Sequence, residues 1–373
     1  MNSIRNVIVI YSPHAGRSAQ LAQSLSLLEH VGFHVAQVIP IAELDALAAQ
    51  GADWQAQGAD LAVAAGGDGL VGGVIAHIVQ SGLPLGILPL GTANDIARTL
   101  HIPMELSQAI DVIVHGAVQE IDIGTAQPAE QAPHTVTSAT DGPVMTHVAR
   151  QKHGFFAHVL TVGLNVQFAR LATNVAIRQR FGRMTYPLSA LEVWRSHEAL
   201  DVELHFAGLV QPKLHRFLQR PSPIDTTNAT GSTEAVKEPL PLRCRALQVT
   251  VINAPLFGGQ WQLTVPGASI NDGLLDIVVI EDVELGKLST KIAQFFNLPG
   301  TGAAQSLAKG EDRFVHTVAE LTGIPGIHHL QAQGVHIKTS ADPRDVTLDG
   351  EVRGQTPMFV RLAPQRLRVV VPR

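Results

Sequence analysis

The glycine-rich turn AAGGDGL, at positions 64–70, holds the residues of this sequence that are best suited to chemistry. Gly66, Gly67 and Gly69 lie between a short apolar run and a helix-like stretch, where glycine permits close backbone approach. Consecutive N–H groups at such a junction can converge on phosphate oxygens. Asp68 would repel a bare polyphosphate, so the turn predicts a phosphate site that also holds a divalent cation.

The same glycines admit two other interpretations. Gly67, Gly69 and Gly72 fit the G-x-G-x-x-G pattern of dinucleotide-binding folds. Here the pattern follows the third predicted strand instead of the first, and Asp68 would place negative charge beside a pyrophosphate. A nicotinamide or flavin site stays open, as does a plain strand-to-helix turn without a ligand.

A pair of carboxylates near the carboxyl terminus could act on a substrate hydroxyl. Asp349 and Glu351 flank a flexible glycine in the segment LDGEV, so one carboxylate can serve a metal network while the other faces substrate. Asp-Gly is also a common signal for a two-residue hairpin turn. Phosphoryl transfer and an ordinary hairpin are therefore both compatible with this segment alone.

The elements that must position these residues form two groups. Apolar runs at 6–11, 33–39, 61–65 and 85–88 alternate with helix-like stretches, which predicts a parallel sheet with helices on both faces over residues 1–125. Two polar turns, SPHAG (12–16) and PLGTANDIAR (89–98), then leave strand ends at the same sheet edge as AAGGDGL. Asp95 in the second turn could instead be only a helix N-cap.

The rest of the chain, 126–373, contains many short β-rich runs, which predict an antiparallel sandwich or barrel. Residues 126–150 and 219–242 are rich in Pro, Ser, Thr, Gly and Ala and are predicted to be exposed loops or insertions. A stretch at 168–196 is the main predicted helix of this part.

Composition narrows the function classes. The 373 residues have a net charge of −5 and a single cysteine, which disfavours nucleic-acid binding, a disulfide framework and a multi-cysteine metal site. No signal peptide is visible, and six glycines and two prolines interrupt the uncharged segment 69–94, so we expect a cytoplasmic chain without a transmembrane segment. The 17 histidines show no metal-ligand spacing. Residues 1–125 contain three arginines, no lysine and eleven acids, so a polyphosphate there would depend on backbone amides and a metal.

Taken together, GGDG, GTANDIAR, the segment 253–280 (NAPLFGGQWQLTVPGASINDGLLDIVVI) and LDGE resemble the diacylglycerol kinase catalytic family in order and spacing. That family includes bacterial soluble lipid kinases and sphingosine kinases. The resemblance implies a phosphofructokinase-like nucleotide domain followed by a β-sandwich that binds the lipid. It also implies ATP and Mg²⁺ as cofactors, and a lipid substrate presented at a membrane surface.

The resemblance assigns roles to individual residues. Glu351 would accept the proton of the lipid hydroxyl with Asp349 close by, and Asp68 would organise the metal-bound nucleotide together with Asp95. Ser269, Asp272 and Leu274 would supply oxygens to a structural magnesium site, two of them as backbone carbonyls. The residues expected to bind or surround ATP are Ser12, Pro13, His14, Ala15, Gly16, Gly66, Gly67, Asp68, Gly69, Leu70, Val71, Gly72, Thr92, Asn94 and Asp95.

Some positions depart from the family pattern. Leu70 replaces the threonine that usually follows GGDG, and the segment Gly163–Val166 lacks its usual second glycine and acid. These departures leave open a catalytically weak nucleotide-binding regulator. An enzyme similar to NAD kinase also stays open, because its GGDG turn is similar. The basic and apolar stretch 168–194 predicts either peripheral contact with the inner membrane surface or a domain-packing helix. A homodimer also stays open.

Overall fold

The computed structural model describes residues 5–13, 15–49, 53–129, 154–164, 166, 198–210, 241–257, 262–282, 291, 326–340 and 342–373. The prediction for His14 lies outside these residues. So do the predicted helix at 168–196 with its membrane-facing alternative, most of the predicted insertions, and Asn165 in the departing Gly163–Val166 segment.

The first lobe is the predicted α/β domain. Its strands from this part of the chain are β1 (Arg5–Tyr11), β2 (Phe33–Pro40), β3 (Leu61–Gly66), β4 (Leu85–Pro89) and β5 (Ala117–Ile121). Its α-helices are α1 (Leu21–His30), α2 (Leu44–Ala49), α3 (Asp68–Ser81), α4 (Asp95–Thr99) and α5 (Leu106–His115). Across the described part of the chain, no helix combines the length and apolarity needed to cross a bilayer.

Strands β1 to β4 pair in parallel, in the order β2-β1-β3-β4, as the continuous apolar runs predict. Every residue of β3 and β4 is buried, because helices and neighbouring strands cover both sheet faces. The carboxyl ends of β1, β3 and β4 therefore lie side by side at one edge of the sheet. The three predicted turns leave from this edge.

The second lobe is an antiparallel β-sandwich, which confirms the predicted fold class. It comprises β6 (Gly124–Pro128), β7 (Gly154–Phe156), β8 (Val159–Gly163), β9 (Leu200–Val210), β10 (Leu242–Ile252), β11 (Leu256–Phe257), β12 (Leu263–Thr264), β13 (Leu275–Glu281), β14 (Ile327–Thr339), β15 (Asp345–Leu348), β16 (Glu351–Gln355) and β17 (Met358–Leu362). Strand β9 pairs with both β10 and β14 and so links the two ends of the β10-β13-β14 sheet. The described core of this lobe is separate from that of the first lobe.

The last strand, β18 (Leu367–Val371), departs from the predicted boundary at 125/126. It lies in the first-lobe sheet, parallel to β4 on one side and antiparallel to β5 on the other. Leu367 and Val369 are buried in the first-lobe core, and this apolar run fits the gap between β4 and β5. At the other end, β6 spans the boundary and already pairs with β17. Among the described residues, the chain therefore crosses between the lobes twice, before β6 and before β18.

Candidate functional site

Backbone hydrogen bonds join the three strand-end turns of the first lobe. The N–H of Ser12 donates to Ala65 O (3.4 Å), and the N–H of Arg17 donates to Leu90 O (2.9 Å). The N–H of Leu90 in turn donates to Gly66 O (3.0 Å). The turns after β1, β3 and β4 are thus one connected surface, as the parallel-sheet prediction requires.

Glycines at the centre of this surface bring main chains into direct contact. A Cβ atom at Gly67 would lie 3.1 Å from the Cα of Gly91, and one at Gly91 would lie only 2.6 Å from Asn94 Oδ1. A Cβ atom at Gly16 would lie 3.1 Å from Thr92 Oγ1. We call the described residues 12–17, 66–69 and 90–95 the strand-end cradle. The close backbone approach at these glycines, beside the start of a helix, suits a ligand held through N–H groups.

Three residues predicted to contact ATP turn their side chains inward instead. Leu70 and Val71 are buried, and the Leu70 side chain packs against Gly66. Asn94 is 4% exposed and has positive φ (53°). Its amide accepts a hydrogen bond from Gly91 N (2.9 Å) and donates to Gly91 O (2.9 Å) and Pro89 O (3.3 Å). These side chains support the cradle from its buried side, because the turns need internal hydrogen bonds and packing to keep their conformation.

The two first-lobe carboxylates that were predicted to organise the nucleotide lie within the cradle. Asp68 begins α3, and its Oδ1 atom accepts a hydrogen bond from the N–H of Ile96 (2.9 Å), which ties the first turn of α3 to that of α4. Asp95 begins α4 and is 6% exposed. The structure therefore brings Asp68 and Asp95 to adjacent helix starts, where the sequence predicted that they share a metal-bound nucleotide.

Two of the three arginines of residues 1–125 support the cradle instead of facing its ligand side. Arg17 donates from Nη1 to Met104 O (3.1 Å) and from Nη2 to Pro89 O, so its guanidinium is bonded to two carbonyls behind the turn. Arg98 donates from Nε to Ala93 O (3.0 Å). Arg5 begins β1, at the opposite edge of the sheet. Because residues 1–125 contain no lysine, side-chain cations from this part of the chain contribute little to holding an anion.

The LDGE segment is both a hairpin and part of the site. Leu348 pairs with Glu351 across a two-residue turn in which Asp349 (φ 48°) and Gly350 (φ 87°) both have positive φ. The segment therefore forms the two-residue hairpin turn that was the alternative prediction. This acceptor turn, residues 348–351, lies against the first turns of α3: a Cβ atom at Gly69 would be 3.6 Å from Glu351 Oε1 and 3.7 Å from Asp349 O. The carboxyl-terminal motif of the second lobe therefore meets the glycine-rich turn of the first.

Asp349 points away from the cradle. Its carboxylate accepts hydrogen bonds from Ala157 N (2.9 Å), His158 N (3.0 Å) and Val159 N (2.9 Å), in the turn between β7 and β8. The predicted catalytic role beside Glu351 does not fit this orientation, because the hairpin turn, with its positive φ, directs the carboxylate to the N–H groups between β7 and β8. Asp349 instead anchors the acceptor turn.

The Asp349 carboxylate is enclosed by protein, although the residue as a whole is partly exposed. Burial raises the pKa of Asp349, while nearby His158 and the three N–H donors act in the opposite direction. The carboxylate also touches α3, where a Cβ atom at Gly72 would overlap it. Gly72, predicted as an ATP contact, serves here as the point where the anchored turn approaches the first lobe.

Glu351 is the carboxylate that faces the cradle. Its side chain is 56% exposed, and it is the first residue of β16. Its Oε2 atom accepts from Arg353 Nε (3.1 Å) and Nη2 (2.5 Å), which leaves Oε1 directed at Gly69. The role of Glu351 as proton acceptor stays a prediction, for which this placement leaves Oε1 available.

The predicted structural magnesium loop docks where the chain passes between the lobes. Gly273 N donates to Asp122 Oδ2 (2.7 Å), and Asp122 N donates to Ile270 O (2.9 Å). Within the loop, Ser269 Oγ donates to Asn271 Oδ1 (2.9 Å) and Leu274 N donates to Asp272 Oδ1 (3.0 Å). The loop is thus fixed to the connection between β5 and β6.

The donor set of this loop fits a cation only if backbone oxygens take part. Among the described residues, no three His, Cys, Asp or Glu side chains are grouped closely enough to hold a metal ion. Burial raises the pKa of Asp272, and the nearby carboxylates of Asp276 and Asp122 raise it further, an imbalance that a cation would relieve. The predicted carbonyl oxygens would complete a site of the hard-oxygen type that Mg²⁺ prefers.

Sequence reasoning missed the residues that connect the motifs. Asp122 is buried and pairs with Arg366 (2.9 Å). Asn253 donates from Nδ2 to Asp122 O (2.8 Å) and Ala157 O (2.7 Å), while its buried Oδ1 has no hydrogen-bond partner in the described part of the chain. Asn253 stands in the NAPLFGG motif, which could have drawn attention to it. Asp122 and Arg366 lie in no motif that the sequence analysis used.

Fold and site together define a two-lobe protein in which a backbone-lined α/β edge faces a carboxylate from a β-sandwich. The family model described as Diacylglycerol kinase catalytic domain matches residues 6–126. The one described as YegS C-terminal NAD kinase beta sandwich-like domain matches residues 158–298. The chain belongs to the diacylglycerol kinase catalytic family.

Similar proteins cover almost the whole chain. A diacylglycerol kinase of Staphylococcus saprophyticus is 23% identical over 98% of this chain and 94% of its own length. A diacylglycerol kinase of Bacillus subtilis (strain 168) is 24% identical over 98% of this chain and 96% of its own length. A crystal structure described as a diacylglycerol kinase from Bacillus anthracis strain Sterne superposes with a TM-score of 0.57 at 18% identity, covering 100% of this chain and 98% of the other. At this identity the structural likeness concerns the fold.

Proposed function

We propose that this chain is an ATP-dependent lipid kinase that transfers the γ-phosphate of ATP to a hydroxyl of a diacylglycerol-like or sphingoid lipid. The observation that carries the proposal is the approach of Glu351 Oε1 to Gly69, at the start of α3. It joins a candidate base of one lobe to a candidate phosphate-binding turn of the other. Membership of a kinase family and the names of similar proteins support the reaction class.

In this proposal the lipid hydroxyl oxygen attacks the γ-phosphorus, and the bond from phosphorus to the β,γ-bridging oxygen breaks, so that ADP leaves. The hydroxyl proton passes to Glu351. The strand-end cradle orients the triphosphate through main-chain N–H groups, which is the positioning on which phosphoryl transfer depends. A bound Mg²⁺ would be held by Asp68 and Asp95 and would neutralise phosphate charge.

The lipid itself would be reached at a membrane surface, since a diacylglycerol-like substrate resides in the bilayer. We propose peripheral contact with the inner membrane surface and a cytoplasmic location, without assigning a described segment to that contact. Ser269, Asp272 and Leu274 are proposed to hold a second, structural Mg²⁺, with two of these residues contributing backbone carbonyls.

An enzyme similar to NAD kinase is the second candidate, because the family model matching the second lobe is described as NAD kinase beta sandwich-like. The experiment offers ATP labelled at the γ-phosphate with micelles of dioleoylglycerol, with sphingosine and with NAD⁺ in separate reactions. Label in a lipid product supports the proposal, and label only in the dinucleotide supports the second candidate. Label in neither product, with ATP still bound, would indicate a regulator. ATP labelled at the α-phosphate is the control and should label no product.

A further inference from the structure

Arg353 is a cation from the second lobe that lies beside Glu351 and the first two turns of α3. Its guanidinium bonds Glu351 Oε2 through Nε (3.1 Å) and Nη2 (2.5 Å). Nη2 is also 3.6 Å from the Cβ position of Gly73, one helical turn after Gly69 in α3. The guanidinium therefore lies between Glu351 and the face of α3 that continues from the strand-end cradle.

A β-bulge places the arginine there. Val352 pairs with Thr347 and Gly354 with Val346, so Arg353 is the extra residue on the edge strand β16. Bulges bend a strand and redirect a side chain, and they are frequent beside active sites. The side chain is 35% exposed, so it keeps room to move between partners.

The site would hold an excess of negative charge that a guanidinium could offset. Glu351 would face a triphosphate across a cradle that also contains Asp68 and Asp95. The arginines of residues 1–125 do not compensate, because Arg17 and Arg98 are bonded to backbone carbonyls and Arg5 lies at the opposite sheet edge. In-line transfer places the nucleophile about 3 Å from both base and phosphorus, so a guanidinium bonded to the base lies within reach of the transferred phosphoryl oxygens.

We propose that Arg353 is a catalytic residue that binds the terminal phosphate of the nucleotide and stabilises the phosphoryl group during transfer, releasing Glu351 to accept the proton. The inference rests on the proposed function. Without nucleotide, the pair with Glu351 holds the guanidinium in place. With nucleoside triphosphate bound, the guanidinium bonds the terminal phosphate, a contact that a diphosphate cannot offer.

The test compares Arg353→Met and Arg353→Lys with wild type in Mg²⁺ buffer. Binding of a non-hydrolysable ATP analogue and of ADP is measured by calorimetry, and transfer to dioleoylglycerol by label. We expect Arg353→Met to weaken the analogue about tenfold or more, to leave ADP within twofold, and to lower kcat by roughly 10²-fold or more, as for other lost phosphate-stabilising groups. Arg353→Lys should recover part of the analogue affinity, because lysine keeps the positive charge but cannot form the bidentate hydrogen bonds of a guanidinium.

Arg243→Met is the matched control, because Arg243 forms an Arg–Glu pair with Glu203 (2.9 Å) on strands β10 and β9 of the same lobe. It should bind both nucleotides and turn over as wild type does. Equal losses of analogue and ADP affinity in a folded Arg353→Met, or an unchanged kcat, would overturn the inference while leaving the kinase proposal intact. If wild type labels no lipid, the proposed function fails first, and the analogue-to-ADP comparison still decides whether Arg353 binds a terminal phosphate.

Discussion

At the scale of single residues, the two carboxylates of the acceptor turn have different tasks. Glu351 faces the strand-end cradle, whereas Asp349 is held by the three N–H groups of residues 157–159. A regular strand would direct residues i and i+2 to the same side. Here the positive φ values of Asp349 and Gly350 remove that regularity. The motif therefore predicts which residues meet, but the type of turn decides which one is free to react.

Replacing Asp349 with asparagine should loosen the acceptor turn. An amide cannot accept all three hydrogen bonds, and leaving a buried N–H unpaired costs about 1–3 kcal/mol. We expect a lower free energy of unfolding in urea and reduced lipid phosphorylation with ATP affinity unchanged, because Glu351 is displaced. Asp342→Asn, at an exposed site in the same lobe, is the control and should change neither quantity.

The stability loss in Asp349→Asn should depend on pH. Burial raises the pKa of Asp349 in the folded protein above its value in the unfolded chain, so folding favours the protonated form. The stabilising contribution is then complete below the unfolded-state pKa and declines as pH rises through the folded-state pKa. The difference in unfolding free energy between wild type and the variant should shrink over that interval. A difference that widened with rising pH would contradict the raised pKa.

At the scale of elements, the cradle depends on main chains that touch. The glycine-rich turn and its strand-to-helix setting were predictable, since β3 ends at Gly66 and α3 begins at Asp68. The contact between Gly67 and Gly91 was not, because the two residues are far apart in sequence and no local pattern encodes their approach. The inward orientation of the Asn94 side chain could not be predicted for the same reason, because its hydrogen-bond partners depend on the conformation of the turn after β4.

Gly91→Ala tests this contact. The added Cβ atom would lie 2.6 Å from Asn94 Oδ1 and against the Gly67 backbone, so the two turns must separate. Overpacking of this kind costs about 1–3 kcal/mol, and the distorted cradle should bind ATP at least tenfold more weakly. Gly73→Ala is the comparison in α3, where the nearest atom is the end of the flexible Ile41 side chain at 3.3 Å. It should keep the wild-type stability in thermal unfolding or increase it.

At the scale of the whole molecule, the two lobes share one chain path that the sequence did not reveal. The run LRVVV (367–371) is one of the short β-rich runs of residues 126–373, and nothing local distinguishes a strand of the sandwich from one that returns to the first sheet. The return is a property of the complete fold, because the strand fills the gap between β4 and β5, where its apolar residues are buried. The fold class was predictable from the alternation of elements, and the boundary at 125/126 was not.

The shared path predicts that residues 1–125 alone do not fold stably. Without β18, buried residues of β4 lose their neighbours, and Leu367 and Val369 are missing from the core. Circular dichroism of this fragment should show no cooperative thermal transition. A fragment 1–125 with residues 363–373 joined to its carboxyl end by a flexible linker should regain one. A cooperative transition in the shorter fragment would contradict the account.

The central claim is that a second-lobe carboxylate acts on a hydroxyl beside a nucleotide held by the first lobe. Measuring lipid phosphorylation and ATP affinity side by side for wild type and Glu351→Gln tests it most directly. We expect turnover to fall by about 10²–10⁴-fold, the usual contribution of a positioned base, while ATP affinity changes by no more than a few-fold. Unchanged turnover in the folded variant, or a loss of ATP affinity that accounts for the whole effect, would contradict the claim.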